Sequence, residues 1–268
     1  MTSGSRADDS RTARSRTDGD LVARLRAAGC VFAEDEAALL VAASGSAGEL
    51  ERLVAARVAG VPLEQLLGWT DFCGLRIAVD PGVFVPRQRT ALLVAEASRL
   101  VSAGDVVLDL CCGSGAIGAA LLAAVPGLVL HAADSEEAAV RCARRNLAGA
   151  HVHRGDLFAP LPRELAGGLA LVACNAPYVP TDAIAMMPPE AREHEPRVTL
   201  DGGADGLAVL RRVVEEAPTW LRPGGSLLFE VGERQVPAAQ AMLVAAGLEP
   251  RVCRDDEIGA TVVAGRRP

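Results

Sequence analysis

The chain contains no lysine; all 27 of its basic residues are arginine. That absence excludes Schiff-base lysine chemistry and leaves planar, permanently charged guanidinium groups as the basic sites. Apolar runs of the roughly 18 residues that a membrane span needs are also missing, so no integral membrane protein is expected. The N-terminal residues lack the apolar stretch of a secretory signal, and a cytoplasmic protein is expected. Collagen-like and coiled-coil repeats are absent. No Cys-x-x-Cys occurs among Cys30, Cys73, Cys111, Cys112, Cys142, Cys174 and Cys253, and their spacings match no zinc pattern. Buried free thiols in a reducing compartment are expected. His151 and His153 would share one face of a strand with no third ligand nearby, so no metal site is expected.

What is present is enough for a sizeable core: half of the 268 residues are hydrophobic and 23% are charged. That balance excludes a disordered or fibrous chain. The net charge of −7 argues against a protein that coats nucleic acid, which requires a basic surface, so no direct nucleic-acid binding is expected. Residues 1–17, rich in Ser, Arg, Thr and Asp, read as a disordered tail. Helical spacing of Leu21, Val22, Leu25 and Ala28, and again of Leu50, Leu53, Val54 and Val58, predicts a small helical domain over 18–72. Leu75–Val79, the turn at Asp80-Pro81-Gly82 and Val83–Val85 predict a β-hairpin linker over 73–89. From 90 to 268 strands and helices alternate, which predicts an α/β domain with a doubly wound, Rossmann-like parallel sheet.

Three stretches of that sheet carry chemistry. In Val107-Leu108-Asp109-Leu110-Cys111-Cys112-Gly113-Ser114-Gly115 a buried strand enters a glycine turn and then a helix, whose first N–H groups are free. The glycines permit positive φ and close backbone approach to a ligand. Asp134 ends the next strand, where a carboxylate can accept both hydroxyls of a ribose. Gly113-x-Gly115-x-x-Gly118 matches the dinucleotide fingerprint literally. Asp109 and the two intervening cysteines, however, suit a cationic ligand such as S-adenosylmethionine better than a pyrophosphate. In Gly155-Asp156-Leu157 a second carboxylate reaches the same sheet edge, where it can accept from an adenine amino group while Leu157 packs on the ring. In Cys174-Asn175-Ala176-Pro177-Tyr178 a third strand delivers the chain's single tyrosine. An amide or exocyclic amine is a poor nucleophile because its lone pair is delocalised. The Asn175 side-chain oxygen and the next carbonyl can accept its two N–H groups and aim that lone pair, while Tyr178 stacks on the planar group.

The Asn175–Tyr178 stretch resembles the (Asp/Asn/Ser)-Pro-Pro-aromatic motif of amino methyltransferases. Phe84-Val85-Pro86-Arg87-Gln88-Arg89-Thr90, Glu195-Pro196 with Leu200-Asp201-Gly202-Gly203-Ala204-Asp205-Gly206-Leu207, Pro223-Gly224-Gly225 with Phe229-Glu230-Val231-Gly232-Glu233-Arg234-Gln235, and Gly60-Val61-Pro62-Leu63 with Leu67-Gly68 narrow the resemblance. Together they are similar to segments of the protein-(glutamine-N5) methyltransferases, the HemK/PrmC-type enzymes that modify peptide-chain release factors. The resemblance spans roughly residues 20–265 and implies a class I methyltransferase fold, S-adenosyl-L-methionine as cofactor, and methylation of the glutamine in a Gly-Gly-Gln motif. It also implies that Cys111, Cys112, Gly113, Ser114 and Gly115 hold the methionine and ribose, with Asp109 and Asn175 also binding the cofactor. Asp134 would hold the ribose, Asp156 and Leu157 the adenine. Phe84, Arg87 and Thr90 would line or brace the cofactor pocket. Asn175, Ala176, Pro177 and Tyr178 would clamp the glutamine, and the helical domain would recognise the release factor.

Three positions depart from the family pattern. Ala176 stands where Pro is usual, which keeps the carbonyl but loses a fixed φ. Ala91 follows Thr90 where Glu is frequent, and Cys111-Cys112 replaces a Gly-Thr pair. These departures leave room for another acceptor: a base amino group in nucleic acid, which would have to be extruded, or a small molecule. A non-catalytic cofactor-binding module and a nicotinamide dehydrogenase are the readings from other classes. Nothing in the sequence calls for an obligate oligomer, and a monomer is expected.

Overall fold

The computed structural model describes residues 19–268; the tail expected over 1–17 lies outside them. Residues 19–27 form helix α1. It is followed by α2 (Ala33–Ala43), α3 (Ala47–Val58) and α4 (Leu63–Leu67). The apolar positions that recur at helical spacing close on one another, with Leu25, Leu40 and Val54 fully buried. The Ser46 side chain caps α3 by accepting from the Glu49 N–H, a common N-terminal device.

Strands β1 (Trp69–Phe72) and β2 (Leu75–Ala78) pair as an antiparallel hairpin. Its two-residue turn is Cys73-Gly74, with φ of 49° and 77°, the positive-φ geometry that matches strand twist. The sequence had pointed one strand later, to a partner at Val83–Val85. Val83 and Val85 are buried, but the segment forms no strand. Asp80–Gly82 does turn, the Val83 N–H donating to the Asp80 carbonyl, but the turn leads away from the hairpin.

The main sheet has seven strands in the order β5-β4-β3-β6-β7-β9-β8. They are β3 (Val106–Leu110), β4 (Val129–Asp134), β5 (His151–Arg154), β6 (Leu169–Cys174), β7 (Leu221–Glu230), β8 (Glu249–Asp255) and β9 (Ala260–Arg266). The first five in spatial order are parallel, whereas β9 runs antiparallel to both β7 and β8. The expected all-parallel sheet is therefore corrected at this edge. The 256–259 turn joins β8 to β9 directly, so no crossover helix exists to carry a parallel return.

Both sheet faces are covered. Helices α5 (Ala91–Ser98), α6 (Ala116–Ala124) and α7 (Glu137–Asn146) pack on one, α9 (Ala208–Trp220) and α10 (Val236–Ala245) on the other. Along β6 the side chains alternate between the two cores, Leu171 and Ala173 against Val172 and Cys174, as the pleat dictates. A short helix, α8 (Pro189–His194), lies in the long connection between β6 and α9. From β3 the chain steps through β4 and β5 to one edge, then returns to add β6 on the other side. The β3/β6 junction is thus the switch point at which open α/β sheets form clefts. No helix of the described residues is long and apolar enough to cross a membrane.

Candidate active site

The carboxyl ends of β3, β4, β5 and β6 open on a solvent-connected cleft of about 1370 Å³. The loop after β3 forms its floor. Cys111, Gly113 and Gly115 all take positive φ there, at 57°, 55° and 79°. Around Gly113 a side chain would meet nothing within 4 Å, so this backbone faces open space. Gly115 is different: a Cβ would sit 2.8 Å from Leu147 of the α7 terminus. Its glycine is demanded by helix packing and not by close approach to a ligand. Cys111, Cys112, Gly113 and Ser114 reach the cleft; Gly115, the residue preceding α6, does not.

Asp109 does not line the cleft either. It is fully buried beneath the loop, where Oδ2 accepts from the Gly118 N–H at 2.8 Å and Oδ1 has no partner. Burial pushes its carboxyl up to about 8, the hydrogen bond from Gly118 opposing and the nearby Asp134 charge adding to the rise. It ties β3 to the start of α6. Asp134 does line the cleft. Its Oδ2 accepts from the Gly113 N–H at 2.8 Å and its Oδ1 from the Glu136 N–H at 2.9 Å. Burial raises its pKa and those hydrogen bonds pull it down. Each oxygen keeps a further acceptor site. The Ser114 hydroxyl on the same wall is buried without a partner.

Beside Asp134, whose carbonyl accepts from the Gly155 N–H at 3.0 Å, Leu157 is held at φ 47° with its side chain buried. Asp156 beside it pairs with Arg212 of α9 at 2.5 Å, which lowers its pKa. Phe84, Arg87 and Thr90 form the rim. The Arg87 guanidinium lies 5.0 Å from the Phe84 ring centre and pairs with buried Glu195 at 2.7 Å. Glu195 also accepts from the Val85 N–H. Its pKa is raised by burial against the pull of Arg87.

Asn175, Ala176, Pro177 and Tyr178 run along the cleft from the end of β6. The Asn175 Nδ2 donates to Thr90 Oγ1 at 3.3 Å. The Tyr178 hydroxyl donates to Glu230 at 2.6 Å and accepts from Arg89 at 2.5 Å. Burial and Glu230 raise the Tyr178 pKa, with Arg89 opposing, so the phenol stays protonated. Behind this loop Gly202 and Gly206 press on its backbone: a Cβ on Gly206 would stand 2.2 Å from the Tyr178 carbonyl oxygen. The Gln235 Nε2 donates to that same carbonyl at 2.9 Å.

Sequence reasoning did not single out Arg89, Glu195, Glu230, Gln235 or the two glycines as site residues. Their signal was present in the segments that carried the family resemblance, but each acts on residues about 25 or more positions away in the chain. The structure also adds His131 to the expected His151 and His153. Its Nδ1 lies 3.0 Å from His153 Nε2, and its ring stacks on His151. Strand pairing, which aligns His131 with His151, made this invisible to local spacing. No metal-holding cluster of three or more His, Cys, Asp or Glu exists among the described residues, whose cysteines are all free.

Residues 74–187 match the "Methyltransferase small domain" family. The chain is 38% identical over 219 residues to the release factor glutamine methyltransferase of Geobacter sulfurreducens, covering 80% of this chain and 76% of that one. To the enzyme of the same name from Streptomyces coelicolor it is 41% identical over 189 residues, covering 68% and 67%. A methyltransferase from Pyrococcus furiosus superposes with a TM-score of 0.55 at 16% identity, over 72% of this chain and 89% of the other; that likeness shows the fold.

Proposed function

The chain belongs to the release factor glutamine methyltransferase family, and from this premise we propose that it methylates the side-chain amide nitrogen (N5) of a glutamine in a peptide-chain release factor, with S-adenosylmethionine as donor. The observation that carries the reading is the polar end of the cleft. There Asn175, anchored through Nδ2 to Thr90, stands beside Tyr178 and across from the Asp134 wall.

The residues suit the cofactor on three counts. Asp134 offers unused acceptor sites to a diol, the Ser114 hydroxyl is a buried group in want of a partner, and Gly113 leaves the loop open where a side chain would fill space. Asp156 and Leu157 would flank the adenine, with Arg212 yielding its hold on Asp156. Phe84 and Arg87 would close the rim. When bound, the cofactor supplies an electrophilic methyl on a sulfonium.

The protein's own part is orientation. The Asn175 Oδ1 and the Ala176 carbonyl would accept the two amide protons. That holds the nitrogen lone pair on the methyl and opposes its delocalisation into the substrate carbonyl. Tyr178 would cover the amide plane. Transfer would exchange the methyl's bond to sulfur for a bond to nitrogen, leave the bonding pair on a neutral thioether, and release one amide proton to solvent. Helices α1–α4 would contact the release factor, with Val31 and Phe32 exposed on the α1–α2 turn.

The test is mass spectrometry after incubation with methyl-labelled cofactor and a class 1 release factor. One added methyl on a glutamine is expected. Asn175→Ala should lower turnover on the order of a hundredfold while cofactor binding persists. Label confined to other residues, or normal turnover by the variant, would overturn the reading.

A further inference from the structure

Buried between β7 and the cleft, Glu230 gathers three donors. Its Oε1 accepts from Arg89 Nε at 2.7 Å and from the Tyr178 hydroxyl at 2.6 Å, and its Oε2 accepts from Thr90 Oγ1 at 2.7 Å. Thr90 in turn meets the Asn175 amide. A carboxylate paired with arginine only accepts, and a threonine hydroxyl has one proton. With that proton committed to Glu230, Thr90 has only lone pairs left for Asn175. The amide must therefore turn its NH₂ toward Thr90 and its oxygen toward the cleft.

We propose that Glu230 and Thr90 are positioning residues that fix the flip state of the Asn175 amide, and so decide that it meets the acceptor nitrogen as a hydrogen-bond acceptor and not as a donor. This rests on the methylation reading above, because a flipped amide would oppose N–H to N–H against an amide or amine substrate. Glutamine at position 230 would reverse the chain. Its NH₂ donates to Thr90, the Thr90 proton becomes free for the Asn175 oxygen, and the asparagine turns its NH₂ to the cleft. Valine at position 90 removes the anchor without changing side-chain shape, and serine restores it.

Two readouts test the chain. In turnover, Thr90→Val and Glu230→Gln should each lower kcat roughly tenfold to a hundredfold, with cofactor affinity held within about threefold. Thr90→Ser should recover most of the loss. The double variant should be little worse than Glu230→Gln alone, since both act through one path.

The second readout needs no acceptor. Asn146 and Asn175 are the only asparagines, so protein carrying ¹⁵N-asparagine gives two side-chain amide pairs, and Asn175→Ala identifies one. The Asn175 pair should shift in Thr90→Val and Glu230→Gln and keep its place in Thr90→Ser. The Asn146 pair, bound to the Ala78 and Ser114 carbonyls, should stay put. Wild-type turnover by both variants, or an unmoved Asn175 pair, overturns the proposal. If the pair moves as expected but no glutamine is methylated by the wild-type protein, the positioning stands and the acceptor assignment falls.

Discussion

Gly206 and Gly113 both have positive φ, at 76° and 55°, yet they are glycine for different reasons. At Gly113 an added Cβ enters open space, so Gly113→Ala carries only the backbone penalty of a left-handed residue, about 1 kcal/mol. At Gly206 the same atom would strike the Tyr178 carbonyl and the Gln235 amide at 2.2 and 2.4 Å. Neither is a flexible end, because each holds the other in a hydrogen bond. Gly206→Ala should therefore cost roughly 3 kcal/mol by overpacking and strain and displace the clamp loop, with turnover falling further than stability. Urea titration of both variants checks the contrast in stability, and kcat of Gly206→Ala at saturating cofactor checks the displaced loop. Equal losses of stability would show that Gly206 matters through φ alone.

Among the elements, β5 at the sheet edge has a hold that weakens in acid. His131 and His153 share a hydrogen bond, which requires that one ring nitrogen be unprotonated, and His151 stacks on His131. Burial, and then the neighbouring His151 and His153, depress the His131 pKa to about 4. His153 is also lowered, by burial, by His151 and by Arg144. An unfolded histidine binds its proton near 6.5, so between about 6.5 and 4 the unfolded chain holds more protons than the folded one. The stabilisation is complete above that window and is lost as the pH falls through it, about 3 kcal/mol for His131 at most. Buried Asp109 pulls the other way, because the folded chain keeps its proton over much of the same range, so the test is the comparison with His131→Phe: between pH 7.5 and pH 5 the wild-type protein should lose stability relative to that variant. A difference between the two proteins that does not change with pH would remove the argument.

The same pairing explains what was legible at this scale. β3 and β6 could be read from their apolar runs and flanking turns, and Asn175–Tyr178 from its chemistry. The histidine cluster, the antiparallel β9 and the Cys73-Gly74 hairpin depend on which strand lies beside which, and local spacing does not encode that. Asp109 was expected to hold the cofactor, and the structure corrects that: its carboxylate is buried on the first turn of α6, a direction that the strand pattern alone does not encode.

At the scale of the whole molecule, two apolar clusters cover the sheet and a third lies among α1–α4. Between the helical layer and α8 stands a polar tie. Arg57, buried in α3, grips Glu36 of α2 through Nε at 2.6 Å and Nη2 at 3.1 Å, and also pairs with Glu190 of α8. His194 at the end of α8 meets the Ala59 carbonyl, and the next residue is Glu195, which holds Arg87 at the cleft rim. The helical layer is thus connected to the rim through one short helix.

The tie is asymmetric. Glu190 is half exposed and can be hydrated when alone, whereas Glu36 and Arg57 are buried. Glu190→Ala should cost no more than about 1 kcal/mol but loosen α8, raising the KM for the release factor more than that for the cofactor. Arg57→Met should cost roughly 3–5 kcal/mol, because it strands the Glu36 carboxylate in an apolar layer. If desolvation of that carboxylate is the cause, Arg57→Met with Glu36→Leu must recover more than half of the loss, since the second change removes the charge that lacked a partner. Chemical denaturation of the two variants decides it. A double variant as unstable as the single one would mean that the arginine acts by filling space between α2, α3 and α8, and that its charge is incidental.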